Sequence, residues 1–226
     1  MASSSVASWS RGQAIHRDGF RADCALCPRL ATFLAAVRER EPAYHAAPVP
    51  PFGDPEARLL VVGLAPGMHG ANRTGRPFTG DYAGELLYST LHAFGYGSRP
   101  VSEHAADGLR LTDCRITNAV KCVPPQNKPT TAEVDTCNAY LAAELARLPA
   151  GAVVIALGLV AHRAVLRAEG QRLSAFAFGH GSEHALSRDR WLIDSYHCSR
   201  YNTNTRRLTP EMFHAVFRAA GRRLGG

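Results

Sequence analysis

Four short apolar runs, each followed by a stretch whose apolar residues recur at helical spacing, constrain this 226-residue chain more than any other feature. They are Arg58-Leu-Leu-Val-Val62, Cys114-Arg-Ile-Thr-Asn-Ala-Val-Lys-Cys122, Ala152-Val-Val-Ile-Ala-Leu-Gly158 and Arg190-Trp-Leu-Ile-Asp-Ser-Tyr-His197. Runs this rich in aliphatic and β-branched residues read as strands. The helical patterns follow over 82–94, from Thr131 through Leu148, directly after Gly158, and from Thr209 to about Leu224. Strand and helix alternating four times predict an α/β fold: a mainly parallel sheet covered by helices on both faces, joined by right-handed crossovers. A further helix, marked by Leu30, Phe33, Leu34 and Val37, precedes the first strand. Residues 1–20 are polar and serine-rich and are expected to form a flexible lead-in, leaving 21–226 as a single domain.

The formal net charge is +7, with arginine concentrated in the final third of the chain. A basic balance favours polyanionic partners through counterion release, and nucleic acid is the first candidate. No basic segment followed by an apolar core opens the sequence, and the longest uncharged apolar run, Leu148 to Ala161, is too short to span a bilayer. A cytoplasmic protein is expected, with no membrane association. In that compartment six cysteines are better read as metal ligands or core thiols than as disulfide partners.

Between the first strand and its helix lies a long loop, 63–81, holding five glycines together with His69, Asn72, Arg73, Arg76, Phe78 and Asp81. Open α/β sheets bind ligands outside the carboxyl ends of their strands, so this loop is expected to wall a pocket. Asn118 in the second strand and His197 at the end of the fourth come to the same edge. Phe78 offers an aromatic face, Asn118 both donates and accepts hydrogen bonds, His197 donates to a developing anion, and Asp81 is a carboxylate able to orient water. Together they suit a flat, polar ring. Singly, a strand asparagine or strand-end histidine is more often structural.

Two further groups carry chemistry. Cys24-Ala-Leu-Cys27 opens the first helix, and Cys122 and Cys137 flank a proline-rich loop. Folding can bring these four thiols together as ligands for zinc or for an iron–sulfur cluster, and the separation of the third and fourth leans toward iron and sulfur. Cys114 and Cys198 read as core thiols. Arg200-Tyr-Asn-Thr-Asn-Thr-Arg-Arg207 combines arginines, amides and hydroxyls around one aromatic, the makings of a loop that grips phosphates and carries a wedge, although a solvated basic loop is a fair alternative.

Three ordered motifs extend these readings: Gly63-Leu-Ala-Pro-Gly67 with 70–81, then Ile116-Thr-Asn-Ala-Val-Lys-Cys122, then 197–209. With the four cysteines they resemble the family 5 uracil-DNA glycosylases, the iron–sulfur B type, over nearly the whole chain. The resemblance implies a three-layer α/β/α fold with a central four-stranded parallel sheet, and a [4Fe–4S] cluster on Cys24, Cys27, Cys122 and Cys137. It implies a monofunctional enzyme that flips uracil and other deaminated bases out of DNA and hydrolyses the N-glycosidic bond, initiating base excision repair. In that scheme Asp81, Asn118 and His197 are catalytic. Gly63, Ala65, Gly67, Phe78 and Asn118 hold the base, and Arg200, Tyr201, Asn202, Arg206 and Arg207 contact DNA. A monomer associated with the nucleoid through DNA is implied.

Two positions depart from the wider superfamily. Related enzymes place an acidic residue directly after the first glycine of the opening motif, where this chain has Leu64; that is the family 5 pattern, and Asp81 becomes the implied replacement. Cys198 follows the motif histidine where relatives often carry proline. The rival readings are a damaged-DNA-binding iron–sulfur protein without glycosylase chemistry and a zinc-bearing nucleotide hydrolase.

Overall fold

The computed structural model describes residues 20–225. Its elements run α1 (Pro28–Arg40), β1 (Phe52–Gly53), β2 (Leu59–Gly63), α2 (Ala71–Thr74), α3 (Tyr82–Ala93), β3 (Cys114–Asn118), α4 (Thr131–Arg147), β4 (Val153–Leu157), α5 (Leu159–Ala168), β5 (Glu183–Ala185), β6 (Trp191–Ser195), α6 (Arg200–Asn204) and α7 (Pro210–Arg223). The sheet order is β1-β3-β2-β4-β6-β5. The four expected strands, β3, β2, β4 and β6, form its parallel centre.

The sheet has six strands rather than four, because β1 and β5 add short antiparallel edges. With two and three residues respectively, neither is long enough to display a period-two alternation. β3 ends at Asn118, short of the expected Cys122. Beyond it the chain turns away from the ladder, and the Lys121 backbone N–H donates to Cys137 Sγ at 3.3 Å. The expected lead-in, 1–20, lies outside the described residues apart from Phe20, which is buried and packs on Tyr140 with ring centroids 5.9 Å apart.

The central strands are apolar throughout because both faces are covered. Leu60 and Val62 join Leu34 of α1, Leu141 of α4 and Val165 of α5 in one core. Leu59 and Val61 join Leu87 and Leu91 of α3 and Phe213 and Phe217 of α7 in the other. Each such side chain contributes about 1.5–3 kcal/mol by leaving water. The alternation along one strand thus specifies all three layers.

The helix ends follow local chemistry. Thr130 and Glu133 make a reciprocal capping box at α4. Arg29 donates to both Glu133 oxygens, at 2.7 and 2.6 Å, which ties α1 to α4 and holds the Glu133 carboxyl below its ordinary range. Pro28 and Pro210 occupy first turns, where a missing N–H costs nothing.

Candidate active site

At the carboxyl end of the sheet, a cleft of about 450 Å³ is lined by Leu64, Ala65, Gly67, Phe78, Asp81, Asn118 and His197, with Tyr82, Asn127, Ser199 and Arg200 among the residues at its walls. Six of the seven residues predicted to act on or hold the base therefore line one cleft, with Arg200 of the predicted DNA contacts at its wall. Gly63 serves it from beneath. β2 and β3 pair in parallel with Gly63 opposite Asn118, and a Cβ on Gly63 would lie 2.4 Å from Asn118 Oδ1 and 2.5 Å from Phe78 Cζ. Only a residue without a side chain lets ring and amide meet over that strand end. Gly63→Ala is expected to cost about 1–3 kcal/mol of stability through overpacking and to raise KM for a base-containing substrate; thermal unfolding and steady-state kinetics test both.

Asn118 is almost fully buried. Its carbonyl accepts from Lys121 Nζ at 2.9 Å, and the same ammonium donates to Glu144 Oε1 at 2.7 Å and to Thr117 Oγ1. A buried ion pair thus fixes the backbone beneath the amide. The His197 ring lies near-parallel to Phe78, at 28° and 6.0 Å between centroids. One edge of His197 reaches the open cleft, but protein surrounds most of the ring, and this burial lowers its pKa to about 4. The imidazole is neutral at pH 7 and still carries one N–H to donate.

Asp81 caps α3, its Oδ1 accepting from the Gly84 N–H at 3.2 Å. Gly67 and Gly70 approach the other oxygen so closely that a Cβ would stand 3.2 and 2.3 Å from it. Burial raises the Asp81 pKa, opposed in part by the N–H groups of Gly84 and Ala83. The carboxylate is consequently less stabilised than an exposed one, and it faces the cleft.

The basic segment forms the short helix α6, capped by Ser199. Tyr201 is 72% exposed, a large aromatic standing in solvent beside the cleft. Arg200 lies over the Tyr82 ring at 5.4 Å. Asn202 turns inward, its Nδ2 donating to the His197 carbonyl at 2.8 Å, and Arg207 stacks on Tyr196 at 4.7 Å. Arg206 lines a neighbouring groove between α3 and α7.

Cys24, Cys27, Cys122 and Cys137 wall one small apolar cavity between α1 and α4. Desolvation, followed by the nearby thiols, pushes Cys122 up to about 12. Burial pushes Cys137 up to about 11 despite the opposing Lys121 charge. Cys198 is fully buried and pushed up to about 12, which removes it as a nucleophile; Cys114 is buried as expected.

Among the described residues, one other cluster has metal-ligand character: His162, His184 and Asp194. Its carboxylate already accepts from His162 Nδ1 at 2.7 Å, His184 Nε2 at 3.1 Å and the Gly179 N–H at 3.3 Å. This network anchors α5 and β5 to β6 with every carboxylate oxygen engaged.

Sequence reasoning missed Tyr82 and Asn127 as cleft residues. The signal at Asn127 was its place in a proline-rich turn, where asparagine accepts the positive φ of 57° observed. Tyr82 carried no signal, since an aromatic at the first position of a helix is usually packing.

The model of the uracil DNA glycosylase superfamily matches residues 50–221. The chain is 50% identical over 207 residues to a type-5 uracil-DNA glycosylase of Thermus thermophilus, covering 89% of this chain and 94% of that protein. It is 44% identical to the type-5 enzyme of Pyrobaculum aerophilum, covering 88% of each. A type-4 uracil-DNA glycosylase of the same archaeon is 35% identical over 57% of this chain. With the matched family spanning the whole sheet and cleft, the chain belongs to the uracil DNA glycosylase superfamily, in its type-5 branch.

Proposed function

We infer that the protein is a uracil-DNA glycosylase that removes uracil, and other deaminated bases, from DNA by hydrolysis and leaves an abasic site. The observation that carries this reading is the single cleft holding an aromatic platform, a buried amide, a neutral histidine and a carboxylate at the strand ends. The base must leave the duplex to enter it, and a mispaired uracil gives up less stacking and pairing than a matched base. In this reading Tyr201 fills the gap and Arg200 holds a flanking phosphate, which the exposure of the Tyr201 ring supports. Arg206 and Arg207 add basic charge to that face.

Inside the cleft, Phe78 stacks on the flipped ring and Asn118 pairs with its polar edge. As the glycosidic bond lengthens, the sugar becomes cationic and the base anionic. His197 donates its N–H to the base anion, and Asp81 favours the sugar cation and directs water onto it. A neutral donor suits this role because it stabilises the leaving anion without attracting water to a buried charge. Leu64 leaves no second carboxylate on that wall.

The four cysteines fit a [4Fe–4S] cluster. All four line one small apolar cavity with Tyr140 beside them, and the Lys121 N–H donates to Cys137 Sγ at 3.3 Å, the kind of hydrogen bond that tunes a ligating sulfur. Bound there, such a cluster would supply the positive iron charge that makes four adjacent thiolates tolerable, and Cys24, Cys27, Cys122 and Cys137 would join the N-terminal helix to the loop after β3 through it. Cys122→Ala is expected to abolish bound iron and visible absorbance and to expose the segment around Cys24 to proteolysis. Iron analysis and limited digestion check this.

Among the described residues no helix is long and apolar enough to cross a membrane. We read the protein as a cytoplasmic enzyme that acts on DNA as a monomer. The reading as a DNA-binding protein without chemistry has nothing in its favour, since both Asp81 and His197 line the cleft. Incubation with uracil-containing oligonucleotides, followed by alkaline cleavage at abasic sites, tests the function. Uracil, hypoxanthine, xanthine and etheno-cytosine in single and double strands would rank its substrates.

A further inference from the structure

Phe78 stands at φ 56°, in the left-handed region. A bulky aromatic residue adopts that conformation only where the surrounding structure imposes it. Both neighbours of Phe78 are tied down from outside the cleft. Pro77 O accepts from Tyr88 OH at 2.7 Å, and Thr79 Oγ1 lies 2.7 Å from Ser102 Oγ. Next to Pro77, Arg76 is buried and both terminal nitrogens of its guanidinium are engaged. Nη1 donates to Ser102 Oγ at 2.9 Å and Asp107 Oδ1 at 2.8 Å, Nη2 donates to Ala105 O at 2.7 Å, and the group lies 4.4 Å over the Phe52 ring.

Asp107 is itself prepared for this partner. Burial alone would raise its pKa, but the N–H groups of Leu109 and Glu103 and the Arg76 guanidinium hold it well below the usual carboxylate range. Gly84 completes the arrangement: a Cβ there would meet Phe78 O at 1.7 Å, so α3 abuts the strained peptide directly. The loop segment Ser102 to Asp107 therefore grips the chain on both sides of Phe78, although none of its residues lines the cleft.

We propose that Arg76, clamped by Asp107 and Ser102, is a positioning residue for base recognition, holding Phe78 in its strained conformation as the stacking platform. The inference rests on the glycosylase reading above and goes beyond it by assigning base selection to a buried ion pair outside the cleft. Releasing the clamp lets Phe78 relax toward negative φ and swing its ring off the base. DNA contacts made by α6 are untouched.

The test uses the full-length protein with 4-fluorophenylalanine at Phe78, as wild type and as Arg76→Lys, Ser102→Ala and the double variant Arg76→Met/Asp107→Leu. The double variant removes both charges, so no unpaired carboxylate is left buried to block folding. The expected result is a shifted and broadened ¹⁹F line in the double variant. Uracil excision should fall by about 10²-fold, as a displaced positioning group costs, while affinity for abasic-site DNA stays at the wild-type value. Arg76→Lys, which keeps the charge but not the fork, should fall between the two, and Ser102→Ala, which removes one contact on each side of Phe78 but leaves the ion pair, should shift the line and lower excision in the same direction by less than the double variant.

An unchanged ¹⁹F line with full uracil excision in the folded double variant would overturn the proposal, as would an equal loss of uracil excision and abasic-site affinity. If wild type itself leaves uracil-containing DNA intact, the glycosylase reading fails. The ¹⁹F line then still reports whether Arg76 positions Phe78.

Discussion

His197→Ala is expected to slow single-turnover release of uracil by about 10² to 10³-fold, the loss typical of one preorganised donor to a developing anion. The variant should still bind uracil-containing duplex, because α6 and Phe78 remain in place. His197→Gln, which restores a neutral N–H donor, should recover part of the rate. The pH dependence separates this role from that of a general acid. With its pKa lowered to about 4 by burial, His197 is neutral through the physiological range, so its contribution to rate should be flat above about pH 5.

Its linkage to stability has a definite sign. The unfolded chain binds a proton at His197 below about pH 6.5, whereas the folded chain does not until about pH 4. Stability is therefore lost as pH falls across that window. His197→Ala should flatten that part of the stability curve.

The second large effect is expected at Asp81. Asp81→Asn keeps a side-chain oxygen to cap α3 and so leaves the helix start intact. It removes the charge that favours the cationic sugar, and single-turnover excision should fall by about 10²-fold. Burial raises the Asp81 pKa, so ionising this group costs folding free energy at neutral pH. The asparagine variant should then unfold at the same or a higher temperature than wild type while being far less active. In the wild-type pH–rate profile the acid limb should begin above the ordinary carboxylate range and should be missing in Asp81→Asn. Asp81→Ala loses the cap as well, about 1 kcal/mol, and should be less stable than Asp81→Asn.

The central architecture was legible because parallel strands covered on both faces must be apolar at every position, and β2 and β4 are. Phe78, Asn118 and His197 could be placed together from the sequence, since parallel strand ends share an edge. The edge strands β1 and β5 were not legible, being too short to carry a period. Asn202 illustrates a different limit. Its residue type suits a phosphate contact, but the fold spends its amide on the His197 carbonyl, a partner that only the turn of α6 brings near. Arg207 is exposed, and its stacking on Tyr196 is a contact that nothing in the sequence signals. The Arg76 clamp was invisible for the same reason: Asp107 is far away in sequence, within a polar connection that has no periodicity.

The most direct measurement is single-turnover excision from a uracil-containing duplex at neutral pH by wild type, Asp81→Asn and His197→Ala side by side, with the abasic product cleaved by alkali and counted. The predicted result is rapid conversion by wild type and rates lower by about 10² to 10³-fold in both variants, with DNA binding retained. Full-rate excision by both variants would contradict the account, as would a wild-type protein that binds the duplex and leaves its uracil in place.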